Sequence, residues 1–180
     1  MAFAALPAVS FGLAAVAAGA DRRLDETPVD ALIVAEAVTL AGAMNQAFKF
    51  SVARERPFVH ARTPAERAAR ADPDDNLSFY SGHTSFAFAL AVSSGTVASM
   101  RRYRLAPWVW AVGLSAAAAT GWLRIAADKH YFTDVVAGAA MGSAFGLGVP
   151  YLLHRPGDRA GAARPGIFAQ GRSIVLAGAW

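Results

Sequence analysis

Five long apolar runs divide the chain, at residues 2–20, 29–50, 79–100, 106–124 and 132–153. Each holds 19 to 22 residues, the length a helix needs to cross a bilayer core. Their alanine and leucine content favours helices over strands. The first, third and fourth runs have no acidic or basic side chain in their interiors. The second contains Glu36, Asn45 and Gln46, so one of its faces should look into a bundle rather than at lipid. The fifth carries Gly138, Gly142 and Gly146 at four-residue spacing. That stripe predicts close helix packing and nothing more. The pattern therefore predicts an all-α, membrane-embedded bundle of about five spans, in a helical domain over 1–153. A Gly- and Arg-rich tail follows at 154–180, with a short hairpin expected about Gly171-Arg172.

The polar connectors set the topology. Residues 21–28 and 101–105 are short turns, and 51–78 is the one long loop, rich in both signs of charge. A loop of that length serves either as a functional lid or substrate filter over 58–78, or as a solvated connector. Five alternating spans put the 51–78 loop and the turn at 124–131 on one membrane face. The 21–28 turn, the 101–105 turn and the tail fall on the other. Arg101, Arg102 and Arg104 favour that second side as the cytoplasmic one. The N-terminal run ends in "AAGA", as a signal-peptide cleavage region does, but has no basic stretch before it. It is read as a first membrane helix.

Composition sharpens this picture. The chain of 180 residues is 55% hydrophobic and 17% charged, well below the charged share of soluble domains. Of its 17 basic residues, 15 are arginine, the side chain suited to bidentate binding of phosphate or carboxylate. No cysteine is present, which excludes disulfides and thiolate chemistry. No nucleic-acid partner is expected.

Candidate chemistry clusters where apolar runs end. Lys49 and Arg56 close the second run, Ser81-Gly82-His83 opens the third, and Arg124, His130 and Asp134 lie between the fourth and fifth. Counting spans brings all three clusters to one membrane face. Lys49, Arg56 and Arg124 supply three cations. Ser81 is expected to cap the third helix, while Gly82 lets backbone approach a ligand. A helix N-terminus with free N–H groups favours an anion. His130 and Asp134, four apart, can share a helix face. Asp134 could then fix the imidazole tautomer and leave the other nitrogen free to attack, as carboxylates do in catalytic triads. His83 could protonate a leaving oxygen. Each piece alone has a bland reading, as a polar helix end, a snorkelling cation or a local hydrogen bond; the combination carries the argument.

That combination resembles the type 2 phosphatidic acid phosphatase superfamily, which includes bacterial acid phosphatases and vanadium haloperoxidases. Its pattern is K-x6-R-P, then P-S-G-H, then S-R-x5-H-x3-D. The chain has Lys49-x6-Arg56-Pro57, Tyr80-Ser81-Gly82-His83 and Leu123-Arg124-x5-His130-x3-Asp134. Nine positions agree in order and spacing; Tyr80 and Leu123 depart from the usual proline and serine. The resemblance implies His130 as nucleophile forming a phosphohistidine, oriented by Asp134, with His83 as general acid and later activator of water. Lys49, Arg56, Ser81, Gly82 and Arg124 would hold the phosphoryl oxygens. It implies no cofactor and no metal, although vanadate could occupy the phosphate pocket.

The expected activity is a metal-independent phosphatase acting on phosphate monoesters or diphosphates of membrane lipids. Two alternatives are a vanadium-dependent haloperoxidase and a non-catalytic membrane protein that binds an anion. A metal site from His60, His83, His130 and Asp134 is disfavoured by the adjacent cations. The expected location is a bacterial inner membrane with the site facing the periplasm; a soluble periplasmic form is the less favoured reading.

Overall fold

The computed structural model describes residues 2–70 and 72–154 and two segments of the tail, with side chains described for 6–70 and 72–154. Its framework is five long helices: α1 (Ala2–Ala20), α2 (Thr27–Val52), α5 (Gly82–Met100), α6 (Ala106–Ala126) and α7 (Phe132–Leu153). Two short helices, α3 (Pro57–His60) and α4 (Pro64–Ala69), fold the long loop. The bundle is all-α, as the apolar pattern predicts, and boundaries fall within a few residues of the expected ones. In the tail, Gly166–Gln170 pairs antiparallel with Ser173–Ala177. The predicted turn residues Gly171 and Arg172 lie outside the described residues, as does 155–165.

Each helix boundary has a local cause. Proline stands near the start of α2, α3, α4 and α6, where its fixed φ fits and no N–H is needed. Thr63 caps α4 in a reciprocal box with Glu66. Ala53, at φ 47°, closes α2 in the left-handed region, its N–H donating to the Lys49 carbonyl. That turn throws the next residues off the helix axis into an extended stretch.

Helix α5 is the hub, contacting α7, α6, α2 and α1. Thirteen of its residues are buried. Among the described residues, the segments long and apolar enough to cross a membrane are Leu24–His60, Ala106–Ala126 and Phe132–Leu153, and Leu6–Ala20 is a shorter apolar helix. The apolar pattern predicts a membrane span over 79–100, yet α5 carries Ser85, Ser93, Ser94, Thr96 and Ser99 and is not among these segments. Its position explains this: a helix wrapped by others need not match lipid. Thr96 and Ser99 donate to carbonyls of their own helix, Val92 at 2.7 Å and Gly95 at 2.8 Å.

The glycine stripe packs as expected. A Cβ at Gly138 would lie 2.6 Å from the Ser81 carbonyl oxygen, and one at Gly146 would lie 2.8 Å from Val92 Cβ. A Cβ at Gly142 would collide with the Ser85 carbonyl and approach the Ala89 nitrogen to 2.9 Å. All three face α5, so α7 lies against its backbone.

At the end away from the site, polar groups lock the turns. Buried Asp30 accepts from Arg101 and, at 2.9 Å, from the Tyr103 hydroxyl. Arg23 pairs with Glu26, and Arg104 with Asp21 at 2.6 Å. Arg101 and Arg104, two of the arginines that set the expected topology, thus also have structural partners in the 21–30 turn.

Gly142→Ala should cost about 1–3 kcal/mol through overpacking against α5, read as a lower unfolding temperature in detergent. Gly148→Ala is the control, since its Cβ would meet only Leu152 Cδ1 at 3.9 Å. Equal stabilities for the two variants would refute the close-packing account.

Candidate active site

Three helix ends meet at one end of the bundle, and Lys49, Arg56, Ser81, Gly82, His83, Arg124, His130 and Asp134 are all there. The extended stretch after α2 runs beside 75–78. The Arg56 N–H donates to the Asp75 carbonyl at 2.9 Å and the Ser78 N–H to the Arg54 carbonyl at 2.9 Å. Alternation along this stretch sends Glu55 outward to Arg67. Arg56 is buried, its Nε donating to the Asp74 carbonyl at 2.8 Å.

The loop over 58–78 is more ordered than a solvated connector. Val59 and Asp75 are buried, and Arg62 reaches Asp75 at 3.3 Å. The Phe58 N–H donates to the Asp128 carbonyl at 3.3 Å, tying the loop to the turn before α7. His60, the fourth ligand in the metal alternative, is exposed and faces Glu55.

After α6 the chain reverses tightly. Asp128 takes φ 50°, and the N–H groups of Lys129 and His130 both return to the Arg124 carbonyl, at 3.1 and 3.3 Å. That turn sets His130 beside Arg124. Asp134 occupies the first turn of α7, fully buried, and its Oδ2 accepts from the Tyr131 N–H at 3.1 Å, the back-reaching half of a capping box.

His130 is 3% exposed. Its Nδ1 lies 2.8 Å from the Ser78 carbonyl oxygen. A carbonyl can only accept, so Nδ1 carries the proton and Nε2 keeps its lone pair. The expected direct bond from Asp134 is replaced by this contact, because Asp134 Oδ2 stands 3.9 Å from Nδ1. The carboxylate instead accepts from Ser78 Oγ at 2.5 Å and Arg54 Nη1 at 2.6 Å. Arg54 also donates to Thr133 Oγ1 at 2.9 Å and lies 4.1 Å over the Tyr131 ring.

The α5 end differs from expectation in two details. Ser81 occupies the N-cap position of α5 but makes no side-chain cap bond. Its Oγ accepts from Thr84 Oγ1 at 2.9 Å, and its N–H donates to the Asp134 carbonyl at 3.0 Å. Its job here is to tie α5 to α7. Gly82 does allow close approach, though to Asn45 of α2: a Cβ there would sit 2.7 Å from the amide oxygen. Asn45 in turn donates to the Tyr80 carbonyl at 2.8 Å.

The two departures from the family pattern also find places. Tyr80 is buried, packed on Phe48 with ring centroids 5.6 Å apart, so it wedges the end of α2 against the start of α5. Leu123 is 63% exposed and turned away from the cluster.

Lys49, Arg56 and Arg124 all act electrostatically on both His83 and His130. The two imidazoles therefore share one field of three cations. Burial and the Arg56, Arg124 and Lys49 charges push the His130 pKa down to about 3, against its bond to the Ser78 carbonyl. His130 is neutral at neutral pH. Arg124 Nε is buried with no hydrogen-bond partner in the protein, an arrangement that calls for an acceptor. A cation cluster, an unused guanidinium donor and a neutral imidazole together fit a tetrahedral oxyanion.

Sequence reasoning missed Arg54 and Ser78. Alternation along an extended 54–56 stretch could have put Arg54 and Arg56 on one side. No spacing signal links Ser78 to residues 52 and 56 positions away.

The family model described as the PAP2 superfamily matches residues 30–158. The lipid A 1-phosphatase of Porphyromonas gingivalis is 33% identical over 113 residues, covering 62% of this chain and 21% of that protein. The chain thus spans about a fifth of the length of that curated relative. No solved structure matches the chain.

The depressed pKa of His130 has a consequence for stability. As pH falls, protons bind the unfolded chain first, near about pH 6.5, and the folded protein only near about 3. Stability is full above the upper value and is lost progressively toward the lower one. His130→Gln should flatten that part of the pH dependence of thermal unfolding. An unchanged curve would mean that His130 is already protonated in the folded protein.

Proposed function

The chain belongs to the PAP2 superfamily, and from that membership we propose that it is a membrane phosphatase acting on lipid phosphomonoesters or diphosphates through a phosphohistidine on His130. The observation that carries this reading is the neutral, Nδ1-protonated His130 beside the buried, unpartnered Arg124 Nε. The first is a nucleophile with its lone pair free; the second is a donor in want of an oxyanion.

The proposed chemistry runs in two steps. Lys49, Arg56 and Arg124 hold the nonbridging oxygens, and α5 directs its N-terminus at Ser81-Gly82-His83 toward the same anion. Nε2 of His130 attacks phosphorus as the ester P–O bond breaks. Protonated His83 gives its proton to the departing lipid oxygen. The phosphorylated ring keeps its Nδ1 proton and gains positive charge, which the Ser78 carbonyl and nearby Asp134 stabilise. Now neutral, His83 takes a proton from water, which attacks phosphorus; the P–N bond breaks, phosphate leaves and His130 recovers its lone pair. The three cations balance the phosphoryl charge, so this scheme needs no metal.

A lipid substrate is supported by the surroundings. Phe50, Trp122, Leu123 and Phe132 are all more than half exposed, at the site ends of α2, α6 and α7. Aromatic and apolar side chains there suit the headgroup boundary of a bilayer. The similarity to a lipid A 1-phosphatase supports a phosphorylated saccharolipid as one member of the proposed substrate class, alongside phosphatidate, phosphatidylglycerophosphate and polyprenyl diphosphates.

The wild type should release phosphate from such lipids with chelator present, vanadate should inhibit as a phosphoryl mimic, and His130→Ala should abolish release. Release undiminished in His130→Ala would sink the proposed nucleophile. Arg124→Lys keeps the charge but loses the planar donor fork, and should cost about tenfold or more in kcat/KM, roughly the value of one charge-assisted bond. Full activity would argue against Arg124 contacting the phosphoryl group.

We also propose that the site faces the periplasm, supported by the basic 101–105 turn at the opposite end. The chain has no cysteine, so single cysteines can report it. In intact bacterial cells, Ala127→Cys should react with an impermeant maleimide and Arg102→Cys should not. The reverse labelling pattern would invert the orientation.

A further inference from the structure

Ser78 uses all of its polar groups on three different elements. Its N–H donates to the Arg54 carbonyl at 2.9 Å, its Oγ to Asp134 at 2.5 Å, and its carbonyl accepts from His130 Nδ1 at 2.8 Å. The Arg54 side chain closes the circle by donating to the other Asp134 oxygen at 2.6 Å. Arg54 main chain, Ser78, Asp134 and the Arg54 guanidinium thus form a ring of hydrogen bonds. It joins the end of α2, the approach to α5 and the first turn of α7. His130 hangs from this ring by one bond, through the Ser78 carbonyl. Ser78 and Asp134 are both fully buried, whereas the Arg54 side chain is 36% exposed.

The guanidinium is itself pinned, by Thr133 Oγ1 at 2.9 Å and the Tyr131 ring at 4.1 Å. Both neighbours flank Asp134 in sequence. These hydrogen bonds and the ring contact all lie on α7 and its approach, unlike Arg124, whose Nε has no partner.

We propose that Arg54 and Ser78 are positioning residues for the phosphoryl-transfer reaction, holding the His130 ring in its attacking orientation and tautomer through Asp134 and the Ser78 carbonyl. This rests on the phosphatase reading above. Arg54 fixes the carboxylate, the carboxylate fixes the Ser78 hydroxyl, and the hydroxyl aims the carbonyl at Nδ1. Neither residue touches the phosphoryl group, so loss of either should lower the rate of attack and leave binding alone. A misplacement of about 1 Å at a nucleophile can cost on the order of a hundredfold in rate.

The test is steady-state kinetics on a lipid phosphomonoester in mixed micelles, with Arg54→Ala, Arg54→Lys and Ser78→Ala. For Arg54→Ala we expect kcat to fall about a hundredfold with KM within about twofold. Added guanidinium should restore part of that kcat and none in Ser78→Ala, where the arginine is still present. Arg54→Lys should fall between, and Ser78→Ala should lose kcat without a rise in KM. A raised KM with kcat intact would overturn the proposal and make Arg54 a substrate ligand. Guanidinium failing to rescue folded Arg54→Ala would also overturn it. Should Arg54→Ala not fold, wild-type kcat in both Arg54→Lys and Ser78→Ala is the overturning result.

Failure of the phosphatase reading is separable. A wild type that releases no phosphate defeats that reading alone, and the ring is then judged from the His130 15N shifts. In the wild type these should report a neutral ring protonated at Nδ1, and in Ser78→Ala a mixture of tautomers. An unchanged single tautomer in Ser78→Ala would overturn the positioning role.

Discussion

The approach of α7 to the backbone of α5 governs everything else at the site end of the bundle. Gly138, Gly142 and Gly146 remove the side chains that would hold the two helices apart. With the backbones this close, sliding α7 along α5 would bring side chains against carbonyls that only glycine fits. The register so fixed brings the Ser81 N–H onto the Asp134 carbonyl at 3.0 Å. That bond joins the first turn of α7 to the residue preceding α5. His83 lies in the first turn of α5 and His130 in the turn before α7, yet their relative position follows from packing one to three turns deeper in the membrane.

The third wall comes from α2, and it is fixed by polar rather than apolar contacts. Asn45 spans from α2 to the Tyr80 carbonyl and fills the space a side chain at Gly82 would need. Beyond it, the left-handed turn at Ala53 releases the chain into the stretch that carries Arg54 and Arg56. An uninterrupted helix would have carried both arginines up and away from the bundle end. The turn instead lays them across it, one on the α7 carboxylate and one among the cations. The departure at Tyr80 fits the same scheme, since its ring fills the wedge between α2 and α5. A local anomaly in the sequence thus corresponds to a packing role, although why tyrosine rather than proline is used here has no explanation in the contacts.

Spans, their ends and the convergence of three motif clusters were legible in the sequence because each rests on a short-range rule: helix length against bilayer thickness, or spacing along one helix. The cations Lys49, Arg56 and Arg124 and both histidines were legible for the same reason. Three things were not. The partner of His130 Nδ1 is a main-chain carbonyl, and any residue type offers one, so Ser78 left no trace. The 3.9 Å gap between Asp134 and His130 depends on where α7 begins: a His at the residue before the N-cap does not share the helix face that four-residue spacing implies. Ser81 was read as a cap from its type and position, but Thr84 occupies its hydroxyl. In each case a local rule named a plausible bond, and a partner brought in from another element took the atom.

The same three cations bear on the proposed nucleophile and its ligand in opposite senses, and in the proposed reaction this couples binding to chemistry. Lys49, Arg56 and Arg124 attract an anion while discouraging a proton on His130. An arriving phosphate dianion offsets their charge and would raise the proton affinity of the imidazoles around it. For His83, as the proposed acid, that change is useful, since a proton must be present when the lipid oxygen departs. For His130 it would be harmful, since protonation at Nε2 would remove the attacking pair. The geometry separates the two. His130 is buried with Nδ1 already committed to a carbonyl, and its Nε2 is the atom an approaching phosphorus would cover. Once substrate is seated, the ring has no open nitrogen for a solvent proton to reach. In the proposed reaction the low proton affinity would therefore be needed before substrate arrives, and coverage by the substrate would protect the lone pair afterwards.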